Sequence, residues 1–435
     1  MTADVPSVPV TLVVNSFFEE LTASTRSRPM PWEGYQRASL ITEEELSLLR
    51  QYANTTEVSP EYIHLLVNLL NKLVRVDTLQ YILVLIDDLL EADPNAGKVL
   101  HEMKRINASF PYEPFLKCLK KDDEFLALKA EKIITFLICT GSGKLPSQGP
   151  EFLDILIVQL SSRTTNVADI TVQLFQSLLR TPRCRIGLFH KARGIPNLVS
   201  LIGKERSNPQ MLYQIIFCFW LMSFEAEIAE EFDIQHNIIP LLIEIAKTTG
   251  KEKLIRVIVG TFKNLLEKAA ESNISVMIGH KLYEFVDALS SRKWNDTEIQ
   301  EDLEFLKTEL QNIVAGMTTF DAYKSEVESG LLEWSPPHKS AQFWKQNATK
   351  LEDNDNALLE LLTEFLKTST SATVLSIAAH DIGQYVKYSP KGKQLVEKIG
   401  AKHRIMELMT HSNSDVKYQA LKAVQNFLMY TWDKI

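Results

Sequence analysis

One kind of helical segment returns about every 42 residues along this chain, and that period restricts the fold to a stack of like units. It is read in RVDTLQYILVLIDDLL from Arg75, DDEFLALKAEKIITFLI from Asp122, TNVADITVQLFQSLL from Thr165, NPQMLYQIIFCFWLM from Asn208 and GKEKLIRVIVGTFKNLL from Gly250. ATVLSIAAHDIGQYV from Ala372 and SDVKYQALKAVQNFL from Ser414 complete the series. Aligned on the first apolar position (Leu79, Phe125, Val167, Leu212, Leu254, Val374, Val416), the gaps are 46, 42, 45, 42, 120 and 42.

Units of this length are those of armadillo and HEAT proteins, in which two or three helices bury their apolar faces only against the neighbouring unit. The expected fold is all-α, an armadillo/HEAT-repeat superhelical solenoid in two lobes. A chain of 435 residues is too long for one core, which suits such an array. Turn chemistry keeps the same period. Thr42 with Glu45 reads as a capping box opening a helix through about Tyr52. Gly194 suits a helix end and Pro196 the first turn of the next helix, a device repeated at Pro240.

The 120-residue gap holds the architectural break. ISVMIGHKLYEFVDAL and TEIQEDLEFLKTELQNIV continue the array, and then the pattern changes. Between Gly316 and Trp344 stand Gly330, adjacent Pro336 and Pro337, and the aromatics Phe320, Tyr323, Trp334, Phe343 and Trp344. Paired prolines cannot continue a helix and are expected to hold their surroundings extended. The aromatics point to a linker docked on a lobe, since a plain tether is Gly/Ser-rich. The expected domains are a large N-terminal lobe at 1–316, its first fifteen or so residues partly disordered, a junction at 317–345, and a small helical-repeat lobe at 346–435.

Charge and motifs exclude several functions. The net charge of −8 lies in the first 318 residues, because 14 basic and 14 acidic residues balance from Thr319 onward. A nucleic-acid binder needs clustered cations instead. The strongest apolar stretch, Ile215–Phe224, is ten residues and too short to span a bilayer. Cys118, Cys139, Cys184 and Cys218 are scattered and read as reduced thiols.

TGSGKL at Thr140 lacks the first glycine and the final Ser/Thr of a phosphate loop and follows a helix, so it reads as an inter-repeat loop. His380, Asp381, His403 and His411 lack metal-ligand spacing, and His380 reads as a hydrogen-bonded core residue. No nucleophile elbow or dinucleotide loop occurs, and neither cofactor nor catalytic residue is expected. FCFWLMSF from Phe217 reads as a central buried helix. The Trp/Asn ladder of importin-type proteins is absent, since Phe224 follows Trp220 and Gly260 precedes Asn264. Lys251, Lys253, Arg256 and Lys263 border an apolar stripe, as a solvated face or as a groove for an acidic or amphipathic helix.

Several long segments together resemble the H subunits of eukaryotic V-type proton-pumping ATPases. These are RSRPMPWEGYQRASLITEEEL, RVDTLQYILVLIDDLLEAD, LYQIIFCFWLMSF, KEKLIRVIVGTFKNLLEK, TTFDAYKSEVESGLLEWSPPHKSAQFW, AAHDIGQYVKYSPKGK and HSNSDVKYQALKAVQNFL. The likeness runs in order from about Arg26, and LEWSPPH with FW is its most specific part. It implies a non-catalytic regulatory subunit of the soluble sector, cytoplasmic, on the cytosolic face of vacuolar and other endomembrane compartments, without membrane insertion. The large lobe would bind the peripheral stalk of subunits E and G, and the small lobe the cytosolic domain of subunit a. In the released sector the small lobe would turn toward the rotor and catalytic head and stop ATP hydrolysis. Phe320, Tyr323, Trp334, Pro336, Pro337, Phe343 and Trp344 are expected to set lobe geometry. Lys253, Arg256 and Lys263, with Lys367, Thr368, Ser369, Thr370 and Ser371, are candidate partner contacts by position. The competing readings are a free-standing adaptor or transport receptor for cargo peptides, and an enzyme with an unrecognised site.

Overall fold

Each of the seven aligned segments forms a helix, with its aligned apolar residue in the first turn. The computed structural model describes residues 13–52, 59–93, 95–105, 107, 109–141, 149–162, 164–316 and 319–429, and among them there is no strand. Numbering only the helices on which the two cores and the site rest, α1 is Ser16–Arg26, α2 Val76–Ala92, α3 Glu124–Thr140, α4 Thr165–Leu178, α5 Pro209–Met222 and α6 Glu252–Gly279. Then come α7 Thr297–Gly316, α8 Thr319–Ser329, α9 Pro336–Lys339, α10 Ala341–Asn347, α11 Asp353–Thr368, α12 Ala372–Tyr388 and α13 Ser414–Met429. Side-chain caps fix several starts. Asp123 Oδ1 accepts from Leu126 N–H at 2.7 Å, and Asn208 Oδ1 from Met211 N–H at 3.2 Å. The Thr42–Glu45 capping box is formed, at 3.1 and 2.9 Å, and its helix runs Glu43–Gln51.

The chain divides into two compact units, Met1–Phe232 and Asp233–Ile435. In the first, α2 packs on α3, α3 on α4 and α4 on α5, so the 42-residue period becomes a row of parallel neighbours. The row is stitched by a buried charge cluster. Asp87 of α2 pairs with Lys129 and, at 2.9 Å, with Lys132, both on α3, while Lys132 reaches Glu91 at 2.5 Å. Helix α1 lies across these helices, its Phe18 ring 5.8 Å from Phe125, with Asn15 on Asp169 and Val14 N–H on Gln173, each at 2.8 Å. Of the residues expected to be partly disordered, 1–12 lie outside the described ones, while Val13 is buried. The loop around TGSGKL lies mostly outside them too, at 142–148.

Three readings of the sequence change here. Gly194 begins the helix Gly194–Lys204 rather than ending the one before, because its Cα faces Leu188 O so closely that a Cβ would sit 2.5 Å away. Helix α5 is not buried all round. Tyr213, Phe217, Trp220 and Phe224 form a half-buried stripe along one side, with successive ring centres 5.9, 5.2 and 5.1 Å apart. Pro336 and Pro337 do not hold an extended strand but open α9, where the first turn needs no N–H from either.

In the second unit α6 bends at Ala269, whose backbone leaves helical geometry. Its first half is tied to α7 through Arg256 with Asp296 (3.2 Å) and Glu298, and Lys263 with Asp302 (2.7 Å). Its second half carries α8. From Phe320 to Phe427 a single apolar core joins α8, α10, α11, α12 and α13, in which α12 and α13 pack along their lengths.

Candidate functional site

The junction residues singled out in the sequence gather around one helix, α8, and its two sides differ in chemistry. The inner side is apolar. Phe320, Tyr323, Phe343 and Trp344 are buried in the shared core, and Tyr323 lies 5.2 Å from the Phe343 ring and 5.5 Å from that of Trp344. Offset and edge-on packing of this kind adds specificity beyond the area buried. Pro337 is buried beneath them, Pro336 is exposed, and the half-buried Trp334 closes the edge at 5.2 Å from His380.

At the heart of this packing is the histidine that ends LEWSPPH, a residue with no role of its own in the sequence reading. His338 is fully buried in α9, with Nδ1 2.8 Å from Asp381 Oδ2 on α12 and Nε2 3.2 Å from Glu326 Oε1 on α8. Burial opposes its protonation, but the two carboxylates outweigh that and raise its pKa to about 9. His338 is therefore an imidazolium at neutral pH, donating from both nitrogens. Tyr323 Oη donates to the same Asp381 oxygen at 3.1 Å, and burial together with Asp381 drives that phenol far above its ordinary pKa. Burial works against Glu326, yet bonds from His338, Glu333 N–H and Ser335 hold its carboxyl below the usual range. The His338 carbonyl accepts from Trp344 Nε1 at 3.2 Å and His380 Nε2 at 2.8 Å. Helices α8, α9, α10 and α12 are thus pinned at one residue.

The outer side of α8, toward α6, is small and polar. Ser275 Oγ donates to Glu328 at 2.7 Å and lies 3.4 Å from Ser325 Oγ, and Lys281 reaches Glu333 at 2.6 Å. At Gly279 the helices approach so closely that a Cβ would fall 2.4 Å from Ser329 Cβ. This seat combines polar side-chain contacts with a close helix approach at Gly279, whereas the inner side holds aromatic surface and buried charge.

The candidate contact residues fall into two groups. Arg256 and Lys263 are occupied by acids of α7, and Lys263 also lies 5.6 Å from the centre of the Phe305 ring. Lys253 is exposed. Lys367 and Thr368 are exposed at the end of α11, Thr370 is exposed, Ser369 is half-buried, and Ser371 caps α12. His380, His403 and His411 make separate local contacts, with Gln419, Glu407 and Asn413. Among the described residues no group of three His, Cys, Asp or Glu side chains is placed to hold a metal, and no helix is long and apolar enough to cross a membrane. His338 and Lys129 each have a partner about one period away, Asp381 at 43 residues and Asp87 at 42, and a search for charge recurring at the repeat spacing could have found both; the third member, Glu326, stands only 12 residues before His338.

Comparison with known proteins covers nearly the whole chain. A family model described as the V-ATPase H subunit covers residues 16–310, and a second with the same description covers 316–432. The V-type proton ATPase H subunit of Drosophila melanogaster is 33% identical over 433 residues, covering 97% of this chain and 92% of the relative. That of Dictyostelium discoideum is 30% identical, covering 94% and 93%, and the first of two probable V-type proton ATPase H subunits of Caenorhabditis elegans is 30% identical, covering 97% of both. The chain belongs to the V-ATPase H-subunit family, regulatory subunits of the V-type proton pump.

Proposed function

We propose that residues 319–429 act as one regulatory body that exchanges its seat on the array for contacts elsewhere in the pump. The observation that carries this reading is the contrast between the two sides of α8, one locked into the aromatic C-terminal core and the other seated on α6 through small and polar residues with a close approach at Gly279. In the assembled pump the array, residues 1–316, binds the stalk of subunits E and G, and the C-terminal body contacts the cytosolic domain of subunit a. On release of the soluble sector the body turns toward the rotor and catalytic head and arrests ATP hydrolysis. The chain performs no chemistry of its own and works peripherally, on the cytosolic face of the acidified compartment. Such a switch needs each state to offer its own contacts, worth a few kcal/mol apiece.

Lys253 and the exposed turn Lys367–Ser371 are the surfaces proposed to meet partners. Arg256 and Lys263 serve chiefly to hold α7 on α6. Adding the purified chain to released soluble sector that lacks it is expected to suppress magnesium-ATP hydrolysis, and an unchanged rate would sink the inhibitory role. A cysteine pair at Ser275 and Ser325 tests the exchange of seats. Oxidised, it is expected to abolish the inhibition, and reduction should restore it.

A further inference from the structure

Where helix Pro60–Lys72 ends, Leu73 turns extended, and a cleft of about 340 Å³ opens between that end, the first turn of α2 and the end of helix Tyr112–Cys118. Its floor is apolar and buried, made by Leu70, Leu73, Leu79 and Cys118. Val74 stands at its mouth, 71% exposed. All the residues around it come from two stretches described without a break, 59–93 and 109–141. Two helices meet the cleft at their carboxyl ends, where terminal carbonyls favour cations. Lys72 and Lys117 in those last turns answer that need, and both are engaged, Lys72 by Glu45 and Lys117 by Glu113 at 3.1 Å and Asn71 at 3.0 Å. Lys120 and Lys121 lie beyond the last turn, exposed on the rim. Among the described residues neither is paired with a carboxylate. Of the acids nearest in the chain, Asp123 caps α3 and holds Gln80, and Asp122 is exposed.

We propose that this cleft binds an acidic, extended segment of another protein, which sets one aliphatic side chain on the floor. The cleft takes a side chain because its volume lies at the low end for ligand pockets and a whole helix is about 10 Å across. That side chain is aliphatic because the floor is three leucines and a thiol, against which a polar group would lose its hydrogen bonds to water. Carboxylates flank it because Lys120 and Lys121 hold unused charge at the rim, where a basic segment would meet its like. None of the residues proposed above to meet partners takes part, and the site stands whether or not residues 319–429 exchange seats.

The probe is a labelled peptide about ten residues long, one leucine among glutamates and serines, titrated into the full chain and followed by fluorescence anisotropy. Its counterpart carries lysine in place of glutamate. The acidic peptide is expected to bind about tenfold more tightly or better. Lys120→Glu with Lys121→Glu, at exposed positions that leave helicity and melting temperature unchanged, should reverse the preference. Val74→Glu puts like charge at the mouth and should weaken the acidic peptide about tenfold. Alanine in place of the peptide's leucine should cost as much, a loss that no misfolding of the chain can mimic. Equal binding of the acidic and basic peptides, absence of binding, or indifference to the lysine pair or to the leucine overturns the proposal. So does binding that appears only after residues 1–12 are removed, which would make that segment of the chain the occupant. Vesicles of phosphatidylcholine and phosphatidylserine that bind through Lys120 and Lys121 when the peptide does not would make the occupant a lipid surface, and overturn it equally.

Discussion

The two units each bury a cluster of charge, and the clusters are built for different tasks. In the first unit Asp87 holds Lys129 and Lys132 across α2 and α3, residues one period apart, so the cluster joins like to like along the row. In the second, His338 joins α9 both to α8, whose Glu326 stands 12 residues earlier, and to the repeat helix α12, whose Asp381 stands 43 later, so that cluster ties the junction to the repeats. Removing one partner of a buried pair strands the other, whereas the intact pair adds little net stability. Both clusters therefore specify which surfaces meet more than they stabilise the fold. They differ in the direction of their titration: burial lowers the pKa of the Lys129 ammonium from its ordinary value, whereas two carboxylates outweigh burial and raise that of the His338 imidazolium to about 9.

The largest blow to this comparison should come from Asp87→Ala, which strands the buried Lys129 and leaves Lys132 with Glu91 alone, and is expected to cost roughly 3–5 kcal/mol in denaturant unfolding of the first unit. A loss under 1 kcal/mol would mean that the cluster is decorative. Next is the pH response of the second unit. The folded pKa of His338 is raised from 6.5 to about 9, so its contribution is complete below pH 6.5 and fades as pH climbs through 9. That fall should amount to about 3 kcal/mol and vanish in His338→Ala.

The first unit carries a slope of the same sign and similar size in a lower window. Burial raises the Glu131 carboxyl from 4.5 to about 7 against a single bond from Gln159 at 2.6 Å. Its stability contribution is therefore greatest below pH 4.5 and lost as pH rises through 7. Glu131→Gln should flatten that slope and stabilise the unit at pH 8 by about 2 kcal/mol, less than the full shift because the amide brings a buried N–H of its own. Smallest of all, Arg256→Ala removes an exposed pair and should change unfolding by under about 1 kcal/mol. A larger effect would mean that α7 depends on that arginine.

The sequence disclosed the repeats because apolar spacing and caps are local and recur, from Leu79 to Val416. It also disclosed the junction aromatics, since Phe320, Tyr323, Phe343 and Trp344 crowd a stretch where the array pattern stops. What it hid was long-range. His338 looks like an ordinary turn residue until Asp381 is brought to it, and the proline pair before it serves as readily to start a helix as to bar one. Gly194 reads as a helix end because the close approach that demands it involves Leu188, in the preceding helix.

The bend at Ala269 has a mechanical corollary. Since two helical arms meet at that residue, with α7 gripped by one and α8 by the other, a torque applied to α8 reaches α7 through a crank whose elbow is Ala269. In a rotary machine, such a part can resist being twisted.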